Sequence, residues 1–371
     1  MAYDVTIDGI YYNIISYSKT AVVTNEKADY VNGSDIYKGN IKIPESINYN
    51  GISYKVTEIG EYAFWGSEIT SIELPKSIEL IGDRAFFACS KLSSIEIPES
   101  VIGIGIYAFC ECDNLSEISI PKNVTSIKEG AFGKNNLKSI KVAEGNTYYD
   151  SRDNCNAIID TKSNTIIAGC KNTTIPNTVT TIGVQVFAGC KDLTSIQIPN
   201  SVTSISDGAF AECGLTEVII PNSVVSIGDY SFQNTQLSTV RIPSSVIIIG
   251  DVAFSGNEKL TSLYIEDGVG LINSSAFASC ENLKDVYCYS ETVPSTTENG
   301  IFGGYYQEAI LHVPKLAIDN YKSEWGRNFE KVVAIGDNGN SHLLLWAFFI
   351  VLAILAFFVF KRIKGSHNKK G

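Results

Sequence analysis

The residue types that most often catalyse reactions or bind metals are widely separated in this chain of 371 residues. The 3 histidines are His312, His342 and His367, and we expect no two of them to meet at one metal ion or beside one nucleophile. Cys110 and Cys112 form a Cys-x-Cys pair, but no second pair accompanies them to complete a metal site. The sequence therefore predicts no catalytic triad, no metal centre and no cofactor.

Acidic residues recur at one position of a pattern instead of forming a catalytic pair. Asp83, Asp229 and Asp251 each follow a glycine, where a carboxylate commonly accepts hydrogen bonds from the backbone of a turn. The cluster at 150–153, Asp-Ser-Arg-Asp, lacks the ligand spacing and the final Glu of an EF-hand calcium loop. We interpret both groups as turn and loop residues.

The elements that carry these residues are units of a repeat. A block of about 22 to 23 residues recurs from Ile72 to Phe302, and such a period is typical of a solenoid whose units bury their apolar faces only against each other. The clearest copy spans residues 92–112, Leu-Ser-Ser-Ile-Glu-Ile-Pro-Glu-Ser-Val-Ile-Gly-Ile-Gly-Ile-Tyr-Ala-Phe-Cys-Glu-Cys. The sequence thus predicts a mainly β solenoid with one coil per block.

The spacing inside that copy predicts the path of one coil. The alternation of Ile95 and Ile97 indicates a short strand with one inward face. Pro98 ends this strand because proline has no N–H to give to a ladder. Val101 and Ile104 form a second inward pair, and the Ala-Phe that follows enters the core from a helical or 3₁₀ turn.

The string Ile-Pro-x-Ser-Val-x-x-Ile-Gly-x-x-Ala-Phe-x-x-Cys, repeated over most of residues 41 to 313, resembles the BspA-type leucine-rich repeat proteins. The segment 145–173, which interrupts the repeats, and the closing segment 311–325 are similar to the same family. The resemblance implies a right-handed leucine-rich-repeat solenoid at the cell surface. It also implies adhesion, often to host matrix proteins, and it does not imply an enzyme.

Charge and composition exclude nucleic acid as a partner. The formal net charge is −11 at pH 7, with 19% charged and 44% hydrophobic residues. A phosphate backbone would be repelled by such a chain.

The C-terminal region predicts a membrane anchor. Residues 343–360 contain no charged or polar side chain and, at roughly 1.5 Å per helical residue, nearly span a hydrocarbon core of about 30 Å. The basic tail at 361–371 predicts a single-pass protein with its C-terminus in the cytoplasm and its repeats outside. No export signal begins the chain, where a strand pattern starts directly. Either a signal is removed, or the protein is tail-anchored with a cytoplasmic solenoid; we expect the repeats outside.

The chain divides into six segments on these grounds. Solenoids need capped ends, and Asp8-Gly9 is a hairpin signal for the first cap. We expect Pro314 to start a short helix through Tyr321, and residues 331–335 to form a last strand. The segments are an N-terminal cap at 1–40, a solenoid at 41–302 with an inserted hairpin at about 143–172, a C-terminal cap at 303–335, a linker at 336–342, the membrane helix at 343–360 and the tail at 361–371.

Seven of the 9 cysteines fall into two groups. Five of them stand three residues after the repeat Phe, where other coils have Asn or Thr, so we interpret this position as an inward ladder that stabilises a turn. These five are Cys89, Cys112, Cys190, Cys213 and Cys280. In the insertion, a hairpin closing at Asp160 and Thr165 places Cys155 opposite Cys170, close enough for a disulfide in an oxidising compartment. A buried pair of free thiols is the alternative.

The outward residue of each predicted strand locates a candidate binding surface. In the first half this residue is small or charged, and in the second half it is apolar, Arg or Tyr, a composition enriched at binding hot spots. The series is Glu73, Glu96, Ser119, Lys141, then Gln197, Ile219, Arg241, Tyr264, Tyr287 and His312. We expect Ile219, Arg241, Tyr264 and Tyr287 to form a ligand-binding stripe. The alternative is that these rings only cover the end of the core.

The sequence as a whole predicts a non-catalytic, membrane-anchored binding or adhesion module. Its solenoid would present a rigid surface to a protein or glycan ligand, such as a host matrix protein. The alternative is the ectodomain of a membrane receptor or sensor. That receptor would act through a partner protein, because a tail of about eleven residues is too short for a folded output domain.

Overall fold

The structure of the protein, a computed structural model, describes residues 3–26, 37–297, 300–304 and 306–336. Within these ranges no helix has the length and apolar character needed to cross a bilayer. The apolar run at 343–360, the basic tail and nearly all of the predicted linker lie outside the described residues.

Most coils of the solenoid contribute two short strands, which pair in parallel with those of neighbouring coils. The Leu-x-x-Ile-x-Ile segments lie on one face, which we call the front sheet, where Leu263 lies opposite Val286. Its strands pair in three separate groups, and the segments at 193–198 and 215–220 form no strand. The Ser-Ile pairs that precede the next glycine form the back sheet, which pairs in two groups and in which Ile249 lies opposite Ile272. The sequence predicted the strand of the front sheet and took the second pair only as inward-facing residues.

The strands are numbered in chain order. Those of the front sheet are β4 Lys38–Lys42, β7 Glu68–Glu73, β9 Ser94–Ile95, β11 Glu117–Ile120, β13 Ser139–Val142, β20 Thr239–Ile242, β22 Ser262–Ile265, β24 Asp285–Cys288, β26 Tyr306–Val313 and β27 Phe329–Ala334. Those of the back sheet are β6 Ile52–Ile59, β8 Leu80–Ile81, β10 Gly103–Ile104, β12 Ser126–Ile127, β16 Thr165–Ala168, β17 Thr181–Ile182, β18 Ser204–Ile205, β19 Ser226–Ile227, β21 Ile248–Ile249, β23 Leu271–Ile272 and β25 Ser295–Thr296.

The remaining elements belong to the caps and the insertion. They are β1 Val5–Ile7, β2 Ile10–Ile15, β3 Thr20–Thr24, β5 Ser46–Tyr49, β14 Tyr149–Asp150, β15 Ile158–Asp160, the helix α1 Ile318–Glu324, and 3₁₀ turns at Arg152–Asn154, Lys315–Ala317 and Gly326–Asn328.

The turn, helix and strand predicted near the two ends of the solenoid are present, although the helix runs to Glu324 and does not end at Tyr321. Asp8 and Gly9, with φ of 51° and 79°, turn β1 into β2, as a two-residue hairpin requires. A further hairpin, in which β5 pairs with β6, was not predicted. At the other end a 3₁₀ turn and α1 follow Pro314, and β27 pairs with β26 as the last strand.

The repeat phenylalanines stack inside the solenoid. The ring centroids of Phe86 and Phe109 lie 5.1 Å apart, and those of Phe232 and Phe254 lie 5.0 Å apart. All four rings are fully buried. The residue before each Ala-Phe pair has a positive φ, which is 59° even at Val252, so the backbone reverses sharply to bring each ring inward.

The side chains three residues after each Phe form the predicted ladder. The Cys89 thiol donates a hydrogen bond to the Phe64 carbonyl, 2.9 Å away. The Asn257 amide donates to the Phe232 carbonyl of the preceding coil at 2.9 Å and to its own Phe254 carbonyl at 2.7 Å. This ladder supplies donors to carbonyls that the strands leave unpaired.

A second ladder uses the aspartates that follow glycine. The Asp83 carboxylate accepts the Ile106 N–H of the next coil at 2.7 Å, and the Asp229 carboxylate accepts the Asp251 N–H at 2.7 Å. These bonds confirm the interpretation of the recurring aspartates as turn residues.

Candidate binding surface

The second half of the front sheet brings most of the predicted stripe together. Strands β20, β22, β24, β26 and β27 form one parallel sheet. Its register places Arg241 beside Tyr264, Tyr264 beside Tyr287, and Tyr287 beside His312. These four residues, which we call the Arg-Tyr-His row, follow one line across the strands because parallel partners in register share a face.

The rings of the row stack on one another. The centroids of Tyr264 and Tyr287 lie 4.9 Å apart at 6°, and those of Tyr287 and His312 lie 4.2 Å apart at 11°. Tyr264 is only 8% exposed, whereas Tyr287 is half-buried. His312 is also buried, at 9% exposed, so Tyr287 is the most exposed of the three rings, and Tyr264 contributes less surface than the sequence predicted.

Two carboxylates pair with the basic members of the row. Arg241 forms an ion pair with Glu266 of the next coil, and Nε2 of His312 lies 3.0 Å from the Asp285 carboxylate. Burial raises the pKa of Tyr287 above its ordinary value, with the nearby Asp285 charge adding to the effect. A tyrosine is protonated near neutral pH without this shift, so the phenol can donate a hydrogen bond to a ligand.

Ile219 does not join this sheet. It is 72% exposed, and it lies in an extended segment of the coil before β20 that pairs with no described strand. Of the four residues predicted for the stripe, three are therefore adjacent in the row. Ile219 is a separate exposed apolar side chain on the preceding coil.

The first half of the front face differs in chemistry, as expected. Glu96, Ser119 and Lys141 are exposed, and Glu73 forms an ion pair with Lys42 at 2.9 Å. Exposed pairs of this kind contribute little stability. The surface resembles an ordinary solvated face.

The sequence did not predict one cluster of an arginine with two tyrosines. The Arg84 guanidinium lies 5.5 Å from the ring centroid of Tyr62 and 5.4 Å from that of Tyr107, and it donates to the Tyr62 hydroxyl. All three residues have a positive φ. Because this position varies freely among the coils, the repeat pattern gave no signal that these side chains would meet.

The insertion contains the predicted hairpin with a different register. Asp160 lies opposite Thr165 as predicted, but a bulge between Ile158 and Ile159 shifts the pairing by one residue. A shift of one residue turns side chains to the other face. As a result Asn156, not Cys155, faces Cys170, and its amide lies 3.0 Å from the Cys170 sulfur.

The disulfide between Cys155 and Cys170, one of the two alternatives that the sequence left open, is not formed in this structure. Both cysteines are free and buried, and they belong to different apolar clusters of the core. Burial raises the pKa of the Cys155 thiol to about 11, which makes it a poor nucleophile at neutral pH.

The acidic cluster of the insertion is occupied by internal contacts. The Arg152 guanidinium forms an ion pair with Asp150 at 2.9 Å. Throughout the ranges that the structure describes, no group of three His, Cys, Asp or Glu side chains is arranged to hold a metal ion.

Each coil carries one leucine-rich segment, and parallel strand pairing stacks the coils on one another. This arrangement defines a leucine-rich-repeat β-solenoid. The chain belongs to the BspA type leucine rich repeat family, whose model matches residues 39–158 and 164–299 in 6 copies. No curated protein sequence matches the chain.

Several solved structures are similar to this chain. The pneumococcal vaccine antigen PcpA is 19% identical over 90% of this chain and 99% of its own, with a TM-score of 0.60. A leucine-rich repeat protein from Eubacterium ventriosum is 21% identical over 85% and 93%, also with a TM-score of 0.60. One from Bacteroides ovatus is 24% identical over 90% and 100%, with a TM-score of 0.49. At these identities the first two show the fold alone.

Proposed function

We propose that the protein is a non-catalytic adhesion or binding module that contacts its ligand through the Arg-Tyr-His row. The observation that carries this proposal is the in-register line of Arg, two Tyr and His across four strands of one rigid sheet. Tyr and Arg dominate binding hot spots because they combine large contact area with hydrogen-bonding ends. A solenoid holds such residues in place without a cost for ordering a loop.

The geometry favours a protein ligand over a glycan. Sugars pack their C–H groups on open aromatic faces, where the ring carries partial negative charge. Both faces of Tyr287 are covered, by Tyr264 and by His312. The two carboxylates that would accept sugar hydroxyls, Glu266 and Asp285, already contact Arg241 and His312.

We also propose that residues 343–360 anchor the module in a membrane with the repeats outside. Support comes from the uncharged apolar run followed by a basic tail. Protease added to intact cells should remove the repeats and leave a small membrane fragment with the tail. Protection of the repeats until the membrane is opened would favour the tail-anchored arrangement instead.

Binding can be tested with residues 1–335 as a soluble bait against purified matrix proteins and a glycan array. Replacing both Arg241 and Tyr287 by Ala should weaken binding of a captured protein by at least about 2 kcal/mol. The matched control replaces Glu96 and Lys141, at corresponding positions of the first half, and should bind like the parent. Equal binding by the Arg241/Tyr287 variant, with an unchanged thermal midpoint, would exclude the row as the contact surface.

A further inference from the structure

Strand pairing stops at the insertion on both faces of the solenoid. The back sheet ends at β12 and resumes with the hairpin strands of the insertion. On the front face pairing ends at β13 and resumes only at β20, after coils without a front strand, and it is also broken between β9 and β11. Among the described residues no strand pairing joins the part before residue 143 to the part after it. The parallel ladders that connect all other neighbouring coils of the back sheet are therefore missing at one boundary.

The apolar core divides at the same boundary. One cluster contains the buried side chains from Ile10 to Ile140, and the other contains those from Ile175 to Phe329. The hairpin stands between them, because Ile159 and Ile166 pack in the second cluster whereas Ile158 and Ala168 pack in the first. Successive strand residues point to opposite faces, so a strand buried on both sides separates two cores.

Side-chain hydrogen bonds cross the boundary where the strand pairing is missing. The Asn146 amide donates to the Pro121 and Val124 carbonyls at 2.9 and 3.0 Å. The Asn156 side chain accepts the Ile140 N–H at 2.7 Å, and the Tyr149 hydroxyl accepts the Ile127 N–H at 2.7 Å. The backbone of the hairpin, in contrast, pairs directly with β17 of the second part.

We propose that residues 144–172 form a joint that divides the solenoid into two cooperative units, residues 3–143 and 144–336. In a repeat array, stability is a sum of terms within each unit and terms between neighbours, and the array opens where the neighbour term is smallest. Here that term consists of a few side-chain hydrogen bonds, the ion pair of Lys134 with Glu212 at 3.1 Å and one packed face of a hairpin. Each unit therefore unfolds without the other, and the solenoid bends at the joint.

The experiment uses one tryptophan in each unit of the full chain, kept in a mild detergent. Trp65 reports on the first unit and Trp325 on the second, in two variants whose other tryptophans, including Trp346, are replaced by Phe. A second substitution then shortens one stacked phenylalanine in each variant, either Phe86→Leu in the first unit or Phe232→Leu in the second. Both rings are fully buried and stacked in equivalent positions, so the two changes are matched.

In urea, Phe232→Leu should lower the midpoint seen by Trp325 by roughly 1 M and leave the Trp65 midpoint unchanged. Phe86→Leu should do the reverse. If either change lowers both midpoints together, the chain is one cooperative unit and the proposal is wrong.

Hydrogen exchange by mass spectrometry covers the case in which a tryptophan variant fails to fold. In the otherwise unmodified chain, Phe232→Leu should speed exchange in peptides from 144–336 and leave those from 3–143 unchanged. Faster exchange throughout both ranges would overturn the proposal by a route that needs no tryptophan substitution.

Discussion

Replacing Asn257 by Ala should destabilise the second half of the solenoid strongly. Asn257 is fully buried, and its amide donates to the Phe232 and Phe254 carbonyls while its carbonyl oxygen accepts from the Thr235 hydroxyl. Alanine would leave the Phe232 carbonyl without a donor and the Thr235 hydroxyl without its acceptor, whereas the Phe254 carbonyl keeps the Cys280 thiol at 3.4 Å. At about 1 to 3 kcal/mol for each unsatisfied group, we expect a loss of about 3 kcal/mol.

A cysteine at the same position should cost less. Cysteine occupies the equivalent position at 89, where its thiol donates to the Phe64 carbonyl. Asn257→Cys therefore keeps one of the two donated bonds, and we expect a loss of about 1.5 kcal/mol. Asn282→Ala is the matched control, because Asn282 also donates to a carbonyl of the preceding coil, that of Glu258, but at an exposed site. It should cost no more than about 0.5 kcal/mol.

Urea unfolding followed by far-UV circular dichroism and by Trp325 fluorescence gives the three values on one scale. The ladder explanation requires the order Ala, then Cys, then the control, from largest to smallest loss. An Asn257→Ala protein within about 0.5 kcal/mol of the parent would refute it, as would a Cys variant no more stable than the Ala variant.

Three other perturbations test the coil geometry. A Cβ at Gly250 would lie 2.5 Å from a backbone nitrogen of the preceding coil, whereas at Gly270 the nearest atom is 3.6 Å away. Gly250→Ala should therefore lower the free energy of unfolding by about 3 kcal/mol, and Gly270→Ala by much less, which thermal midpoints would measure. Val252 has a φ of 59°, which is costly for a β-branched residue, so Val252→Asn should raise stability by about 1 kcal/mol in urea unfolding, and an unchanged midpoint would argue against strain there. Burial raises the pKa of the Cys89 and Cys280 thiols to about 12. Since the unfolded thiols lose their protons first, stability should be intact below about pH 9 and fall towards pH 12, and iodoacetamide should label these thiols at pH 8 only after unfolding.

The repeat made the solenoid predictable because each inward position recurs with the coil. Ile95, Val101 and Phe109 fall at fixed spacings from one another, so one copy explains all the others. The ladder of Cys, Asn and Thr was also predictable. Three residue types that alternate at one position share the ability to donate a hydrogen bond in a small space.

The features that the sequence did not predict depend on single residues or on contacts between coils. The bulge at Ile158 changes the partner of Cys170 by one residue, and the local pattern is compatible with either register. The burial of Tyr264 follows from its stacking against the next coil, which no spacing within its own coil reveals. The second sheet was missed because two-residue strands carry almost no alternation.

The ladders also give the stack a direction. An aspartate carboxylate binds an N–H of the following coil, whereas a Cys or Asn side chain binds a Phe carbonyl of the preceding coil. The two faces of a coil are thus complementary and not identical, in the manner of a head-to-tail assembly. In the coil of Phe302, which closes the described array, the Tyr306 hydroxyl takes the place of the Cys or Asn side chain and donates to the Phe277 carbonyl of the preceding coil at 2.8 Å and to the Phe302 carbonyl at 2.9 Å. Interior coils can consequently be gained or lost in evolution without leaving a polar group unmatched, whereas the residue that closes the array cannot be exchanged for another coil.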